Sequence, residues 1–216
     1  MSPPPVPLKC YHILHWDRLP HVIAAGGLLP DAVMNGRAAH GTLIGMANLK
    51  GRRLVKPIDV HPGLMVGGCV PFYFCSRSIM LYVIHKANRE GLAYRGGQEP
   101  IVHLEADVRD VAAWATANGR RWAFSLGNAS GDYVEFRNRI DQLHEIDWPA
   151  NRNRWFNSDP AVWEAKQSEF LLEGFFPWEL VERIGVINPA MATQVSQAIA
   201  HAAHRPRVEV QRGWYY

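Results

Sequence analysis

The stretch Val70-Pro71-Phe72-Tyr73-Phe74-Cys75-Ser76-Arg77-Ser78-Ile79-Met80-Leu81-Tyr82-Val83-Ile84 constrains the fold more than any other, because its residue pattern changes period between Phe74 and Ser78. Phe72, Tyr73 and Phe74 read as an aromatic strand, entered through a proline that is tolerated at a strand's first residue. Ser78 reads as a helix N-cap, and Met80, Leu81, Ile84 and His85 follow at the spacing of one helical face. A strand that turns directly into a helix leaves backbone N–H groups unpaired at the helix start. With Arg77 beside them, that start suits an anionic group such as a phosphate. An aromatic core strand followed by a core helix fits the same periods.

A chain of 216 residues can bury one substantial core. No apolar run reaches membrane-spanning length, and Met1-Ser2-Pro3-Pro4-Pro5-Val6-Pro7 lacks the charged-then-apolar order of a secretory signal. Residues 1–8 are therefore expected to be a flexible, proline-rich lead-in, and the protein to be cytoplasmic without a membrane partner. Cys10, Cys69 and Cys75 are an odd set without metal-ligand spacing, which fits buried thiols in a reducing compartment. A net charge of +3 permits a polyanionic partner without requiring one. The eight tryptophans say more, because single-stranded nucleic acid stacks on aromatics set among arginines.

Lys9 to Leu14 alternates as a first strand containing His12, and Asp17 caps a short helix that Gly26-Gly27 stops. A lone strand histidine is most often a hydrogen-bonded structural residue. From Asp31 to Lys56 no period lasts, and one short helix is expected around Ile44 to Lys50. Lys50, Arg52, Arg53 and Lys56 make the densest basic patch, readable as a solvated turn or as a phosphate contact. The loop Gly91 to Pro100 has no dinucleotide-binding glycine spacing. Ile101 to Glu105 reads as a strand, Val108 to Ala117 as a helix and Arg120 to Ser125 as a strand.

In the segment from Gly127 to Asp159 only Phe136 to Leu143 has helical spacing. Arg137, Arg139, Arg152 and Arg154 interleave there with Trp148, Trp155 and Phe156, the pattern of a surface that grips and stacks bases. An amphipathic helix with snorkelling arginines is the other reading. Alternation through Ser168 to Gly174 places Glu169, Leu171 and Glu173 on one face and Phe170 and Leu172 on the other. Glu169 is then either an exposed strand carboxylate or a partly dehydrated one able to act as a base. A short turn at Pro177, a strand at Ile184 to Ile187, a helix from Pro189 and a strand at Arg207 to Gln211 complete one α+β domain over residues 9–216.

These pieces resemble the DarT-type DNA ADP-ribosyltransferase toxins of bacterial toxin–antitoxin systems. The resemblance rests on Tyr11-His12-Ile13, Arg52-Arg53, Val70 to Ser78 with Met80-Leu81-Tyr82, Gly96-Gly97-Gln98-Glu99-Pro100-Ile101, Lys166 to Leu171, and Phe176-Pro177-Trp178, in that order along nearly the whole chain. Ser76 stands where family members often carry proline, a change expected to alter the turn and not the chemistry. The resemblance implies an α+β ADP-ribosyltransferase fold of the diphtheria-toxin and PARP-like kind, a split mixed β-sheet with flanking helices clasping NAD. It implies that His12 holds the nicotinamide riboside end, Tyr73 stacks on nicotinamide and Met80 packs against the reacting centre. Arg53 falls on the family's catalytic arginine and also among its NAD contacts, with Arg52 adjacent as the alternative, and Glu169 falls on its catalytic glutamate.

A carboxylate is the natural stabiliser of a ribose that gains positive charge, and a base nitrogen used in pairing can react only when unpaired, so single-stranded DNA follows as substrate. The resemblance implies thymidine as the acceptor, replication block as the outcome and a macrodomain antitoxin of the DarG type as partner. Arg77, Arg152, Arg154 and Trp155 are the expected DNA contacts. Guanine or RNA as the target, or an idle single-strand binding module, are the rival readings. A metal nuclease is disfavoured because His12, His15 and His21 lack a matching carboxylate set, so no metal is expected.

Overall fold

The computed structural model describes residues 3–34, 41–87, 91–154 and 159–216. Its strands are β1 (Lys9–His15), β2 (Gly27–Leu28), β3 (Cys69–Tyr73), β4 (Ile101–Asp107), β5 (Trp122–Asn128), β6 (Phe136–Arg137), β7 (Ser168–Glu173), β8 (Phe176–Pro177), β9 (Arg183–Val186) and β10 (Arg207–Val210). The helices are α1 (Leu19–Ala24), α2 (Asp31–Met34), α3 (Ala47–Val55), α4 (Ile79–Lys86), α5 (Val108–Ala117), α6 (Trp148–Arg152), α7 (Pro160–Ala165) and α8 (Pro189–Ala198).

Eight strands form one mixed sheet in the order β10-β9-β4-β1-β3-β7-β5-β6, with β10 and β9 parallel and the other pairs antiparallel. β1 is zipped to β4 along its whole length but meets β3 at the single pair Tyr11↔Tyr73. The sheet is therefore split beyond that point, as the resemblance implied.

Alternation decides what each face covers. Val70, Phe72, Leu104, Phe124, Phe170 and Leu172 join the main core, under Val111 and Ala115 of α5 and Val195 of α8. The opposite face carries two smaller clusters. Ile13, Ile101 and Tyr215 sit with Leu81 and Ile84 of α4, whereas Leu171 and Cys69 sit with Ile58, Val66 and Phe136. Each fully buried large apolar side chain contributes roughly 1.5–3 kcal/mol. The α4 N-terminus forms as its sequence predicts, with Ser78 Oγ accepting from the Leu81 amide at 3.2 Å.

Four local expectations need correction. Asp17 does not cap α1, which starts at Leu19 without a side-chain cap; its carboxylate instead accepts from the Thr42 backbone N–H and hydroxyl. The helix foreseen at Ile44 to Lys50 is displaced to Ala47–Val55, and Ile44 is instead a buried loop residue. Phe136 to Leu143 is not one helix: Phe136 and Arg137 pair with the edge of β5, and a 3-10 turn spans Ile140–Glu145. Trp148 is no exposed stacking platform, being 1% exposed with its ring edge-on to Phe74 and its indole N–H donating to the Leu143 carbonyl.

Candidate active site

Directly paired strand residues point to the same side of a sheet, so Tyr11↔Tyr73 and Tyr73↔Glu169 set Tyr11, Tyr73 and Glu169 in one row beside the split. Arg53, in the last turn of α3, comes down on that row. Its Nη1 donates to Glu169 Oε1 at 3.0 Å, and its Nη2 lies 2.9 Å from Oε2. Glu169 is buried and Arg53 nearly so, their side chains 6% and 11% exposed. The second contact lacks hydrogen-bond geometry, which leaves Nη2 a donor and Oε2 an acceptor without a hydrogen-bond partner.

The scaffold around the pair is equally specific. Glu169 has its backbone N–H bound by Ser125 Oγ at 3.0 Å, and Ser125 donates in turn to the Gly127 carbonyl at 2.6 Å, across the irregularity between β5 and β7. Gly67 lets α3 approach, because a Cβ there would sit 2.8 Å from Leu54 Cα. Burial works against the Arg53 charge, yet the Glu169 carboxylate outweighs it and raises the arginine's pKa. Burial, then Glu169, pushes the Tyr73 hydroxyl well above its ordinary value, so Tyr73 is a neutral ring at any physiological pH.

His12 leaves β1 on the face opposite Tyr11, and its Nδ1 lies 2.8 Å from the Pro71 carbonyl across the split. A carbonyl only accepts, so Nδ1 carries the proton and Nε2 is the lone-pair nitrogen. Burial lowers the His12 pKa, the Pro71 carbonyl opposing, and keeps the ring neutral. Met80 packs on the cluster of Ile13, Ile44 and Leu81, and no described contact takes it to Arg53 or Glu169. Arg52 turns away from Glu169, its Nη2 donating to the Ser130 carbonyl at 2.8 Å. The rest of the basic patch is held internally too, Lys50 by Asp31 at 3.1 Å and Lys56 by the Asp132 carbonyl at 3.2 Å.

The expected DNA contacts fall elsewhere. Arg77, Arg152 and Arg154 line a cavity of about 300 Å³ at the end of β3, together with Tyr11, Asn151 and Lys166. Trp155 and Phe156 lie outside the described residues. Arg137 is tied to Glu135 and Glu145, and Arg139 to Asp141, so these two belong to internal ion pairs. At the start of α4 the Arg77 guanidinium lies 4.3 Å from the centroid of the Tyr216 ring, whose hydroxyl donates to the Arg77 carbonyl.

Among the described residues no three His, Cys, Asp or Glu side chains gather as a metal site, and no helix is long and apolar enough to cross a membrane. All three cysteines are free and buried. Ser125, Gly67, Asn151 and Lys166 are the residues that sequence reasoning did not single out. A strand irregularity, a helix–turn contact and a buried lysine all depend on partners distant in the chain, and leave no local pattern.

Comparison with known proteins finds relatives along nearly the whole chain. A family model described as "DarT: ssDNA thymidine ADP-ribosyltransferase, DarT" matches residues 11–216. A DNA ADP-ribosyl transferase of Thermus aquaticus is 37% identical over 215 residues, 98% of this chain and 90% of the relative. The structure of Thermus sp. 2.9 DarT in complex with ADP-ribosylated ssDNA has a TM-score of 0.89 at 32% identity, covering 100% of this chain and 99% of that one. The same protein in complex with NAD+ has a TM-score of 0.83 at 30% identity, covering 99% and 100%.

Proposed function

This chain belongs to the DarT family of single-stranded-DNA thymidine ADP-ribosyltransferases, and from that premise we propose that Glu169 is its catalytic carboxylate and Arg53 the cation working beside it. The protein transfers ADP-ribose from NAD+ to thymidine in single-stranded DNA. The observation that carries the residue assignment is the buried Arg53–Glu169 pair, set in register with Tyr73 at the split of the sheet.

The residues fit NAD+. Glu169 Oε2 and Arg53 Nη2 are buried with hydrogen-bonding capacity to spare, matching a sugar hydroxyl and a phosphate oxygen. His12 Nε2 is an acceptor for a second ribose hydroxyl, and the neutral Tyr73 ring offers a face to nicotinamide. Met80 belongs to this group through the family motif alone.

NAD+ supplies the ADP-ribosyl group and, in nicotinamide, the leaving group. Glu169 sets negative charge against the ribose, where positive charge grows as the bond to nicotinamide breaks. A thymine ring nitrogen forms the new bond to that sugar carbon and gives up its proton, which Glu169 accepts. Arg53 stays protonated throughout, keeping the carboxylate in place and orienting phosphate oxygens. Arg77, Arg152, Arg154 and Trp155 hold the DNA strand, which must present its thymine unstacked.

In the cell the protein is a cytoplasmic toxin that blocks replication, countered by a macrodomain antitoxin of the DarG type, and residues 9–216 form one ADP-ribosyltransferase domain, into whose main core the preceding Leu8 already packs. The family likeness supports these points. Incubation with labelled NAD+ and four single-stranded oligonucleotides that differ only in which base is present tests the reading. Label is expected on the thymidine-containing strand and is to be lost with Glu169→Gln. Undiminished transfer by that variant would overturn the assignment.

A further inference from the structure

We infer that Arg52 is a positioning residue for the reaction: its bond to the turn between β5 and β6 closes a circuit of short contacts that sets Arg53 against Glu169. The inference rests on the catalytic assignment proposed above. Arg52 and Arg53 are neighbours in the last turn of α3, and roughly 100° separates them around the helix axis. One guanidinium therefore meets the carboxylate on β7 while the other reaches sideways, its Nη2 donating to the Ser130 carbonyl at 2.8 Å.

The turn that Arg52 grips is built into the fold. Ser130 is 5% exposed and Ala129 is fully buried, in the cluster that also holds Leu171 of β7. Asn128 shapes the turn, its Oδ1 accepting from the Ser130 N–H at 2.9 Å and its carbonyl from the Gly131 N–H at 2.8 Å. Glu164 of α7 fastens Asn128 in turn, Oε1 accepting from its backbone N–H at 2.8 Å. Across the sheet Asn128 is paired with Ser168, the residue before Glu169.

The contacts thus run from Arg53 to its neighbour Arg52, on to Ser130 and Asn128, across to Ser168 and Glu169, and back to Arg53. Neither catalytic side chain can shift without straining a link elsewhere in the circuit. Lys56, at the end of α3, adds a second tie to the same turn, its Nζ donating to the Asp132 carbonyl at 3.2 Å. The approach of Arg52 to the Asp132 carboxylate, 3.9 Å with both side chains more than half exposed, contributes little. The bond to the Ser130 carbonyl is therefore the link that matters. A group that acts by placing another is felt in the rate of the chemical step more than in the affinity for NAD+.

Steady-state transfer from NAD+ to a thymidine-containing single-stranded oligonucleotide tests the circuit in Arg52→Ala, Arg52→Lys, Asn128→Ala and Arg53→Ala. Arg52→Ala is expected to lower kcat about tenfold while KM for NAD+ changes by less than about twofold, with an unaltered circular dichroism spectrum. Arg52→Lys keeps a donor for the Ser130 carbonyl and should bring kcat back to within about threefold of the unaltered protein. Asn128→Ala breaks the circuit at a second place and should show the same split between kcat and KM. Combined with Arg52→Ala it should be no slower than the slower single variant, because links of one circuit are not independent. Undiminished kcat in Arg52→Ala overturns the inference, and so does a loss confined to KM, which would make Arg52 a ligand of NAD+. A lysine variant as slow as the alanine one, or losses that multiply in the double variant, overturn it as well. Arg53→Ala keeps the two readings apart: full transfer by that variant sinks the catalytic assignment, whereas its failure beside an unimpaired Arg52→Ala sinks the circuit alone.

Discussion

Arg53 and Glu169, 116 positions apart in the chain, meet at two points, 3.0 Å between Nη1 and Oε1 and 2.9 Å between Nη2 and Oε2, inside the split of the sheet. A buried ion pair is weak ground for stability, since desolvation of both charges offsets their attraction. Its persistence at this place, beside a neutral tyrosine and with an acceptor and a donor left over, points to work on a ligand.

Removing one partner strands the other. Glu169→Ala and Arg53→Ala are each expected to reduce transfer by at least about 100-fold. Glu169→Ala should also lower stability by about 3–5 kcal/mol, because the Arg53 guanidinium stays charged and buried. The double variant Arg53→Met/Glu169→Met should recover most of that stability and none of the activity. Urea unfolding and labelled-NAD+ transfer on the three proteins check this. A double variant as unstable as Glu169→Ala would show that lost packing, and not a stranded charge, is what the single change costs.

Gly67 controls how closely α3 can bring Arg53 to the sheet. Its missing Cβ leaves room for the Leu54 backbone, and backbone cannot swing aside as a flexible side chain would. Gly67→Ala should push α3 outward by a few tenths of an ångström or more and slow transfer by about tenfold, since small displacements of positioning groups are costly. Transfer measured at saturating NAD+, with circular dichroism to confirm the fold, decides it. Wild-type turnover in this variant would mean that α3 is free to adjust.

How much of the fold is legible in the sequence depends on how local each signal is. β1 and β7 carry alternation, and the starts of α4 and α8 stand out in the chain as the Ser78 cap and Pro189. Phe136 to Leu143 misleads because an apolar residue every few positions fits a helix as well as an edge strand followed by a turn, and pairing with β5 decides the matter. Arg52 and Arg53 differ by roughly 100° around a helix. Which one faces Glu169 depends on α3 docking against Gly67, a contact absent from any local window. Trp148 shows the same limit, since aromatics among arginines describe a stacking surface and a core edge equally well.

Ser125 ties the irregular part of β5 to β7, the strand that carries Glu169. Ser125→Ala leaves the buried Glu169 N–H without its acceptor and the Gly127 carbonyl without its donor, an expected loss of about 1–3 kcal/mol. Transfer should fall by several-fold, because the Glu169 backbone loses its tether. Thermal unfolding and transfer kinetics would reveal it, and an unchanged melting temperature together with unchanged kcat would remove Ser125 from the scaffold described above.

Acid should weaken the fold through His103. The ring is fully buried, its Nε2 lying 2.9 Å from the Ser76 carbonyl and its faces against Trp214 and Tyr215, and burial brings its pKa down from 6.5 to about 4. A folded pKa below the unfolded one means that the unfolded chain binds the proton first. The stabilising contribution is therefore complete above about pH 6.5 and lost as pH falls towards 4. One such proton has a slope of about 1.4 kcal/mol per pH unit, or about 3 kcal/mol across the window. Urea midpoints taken between pH 7 and pH 4 should show this slope, and His103→Gln should flatten it, since glutamine can donate to Ser76 and does not titrate. A variant that keeps the full slope would move the acid sensitivity to another group, with His12, also lowered by burial, the next to replace.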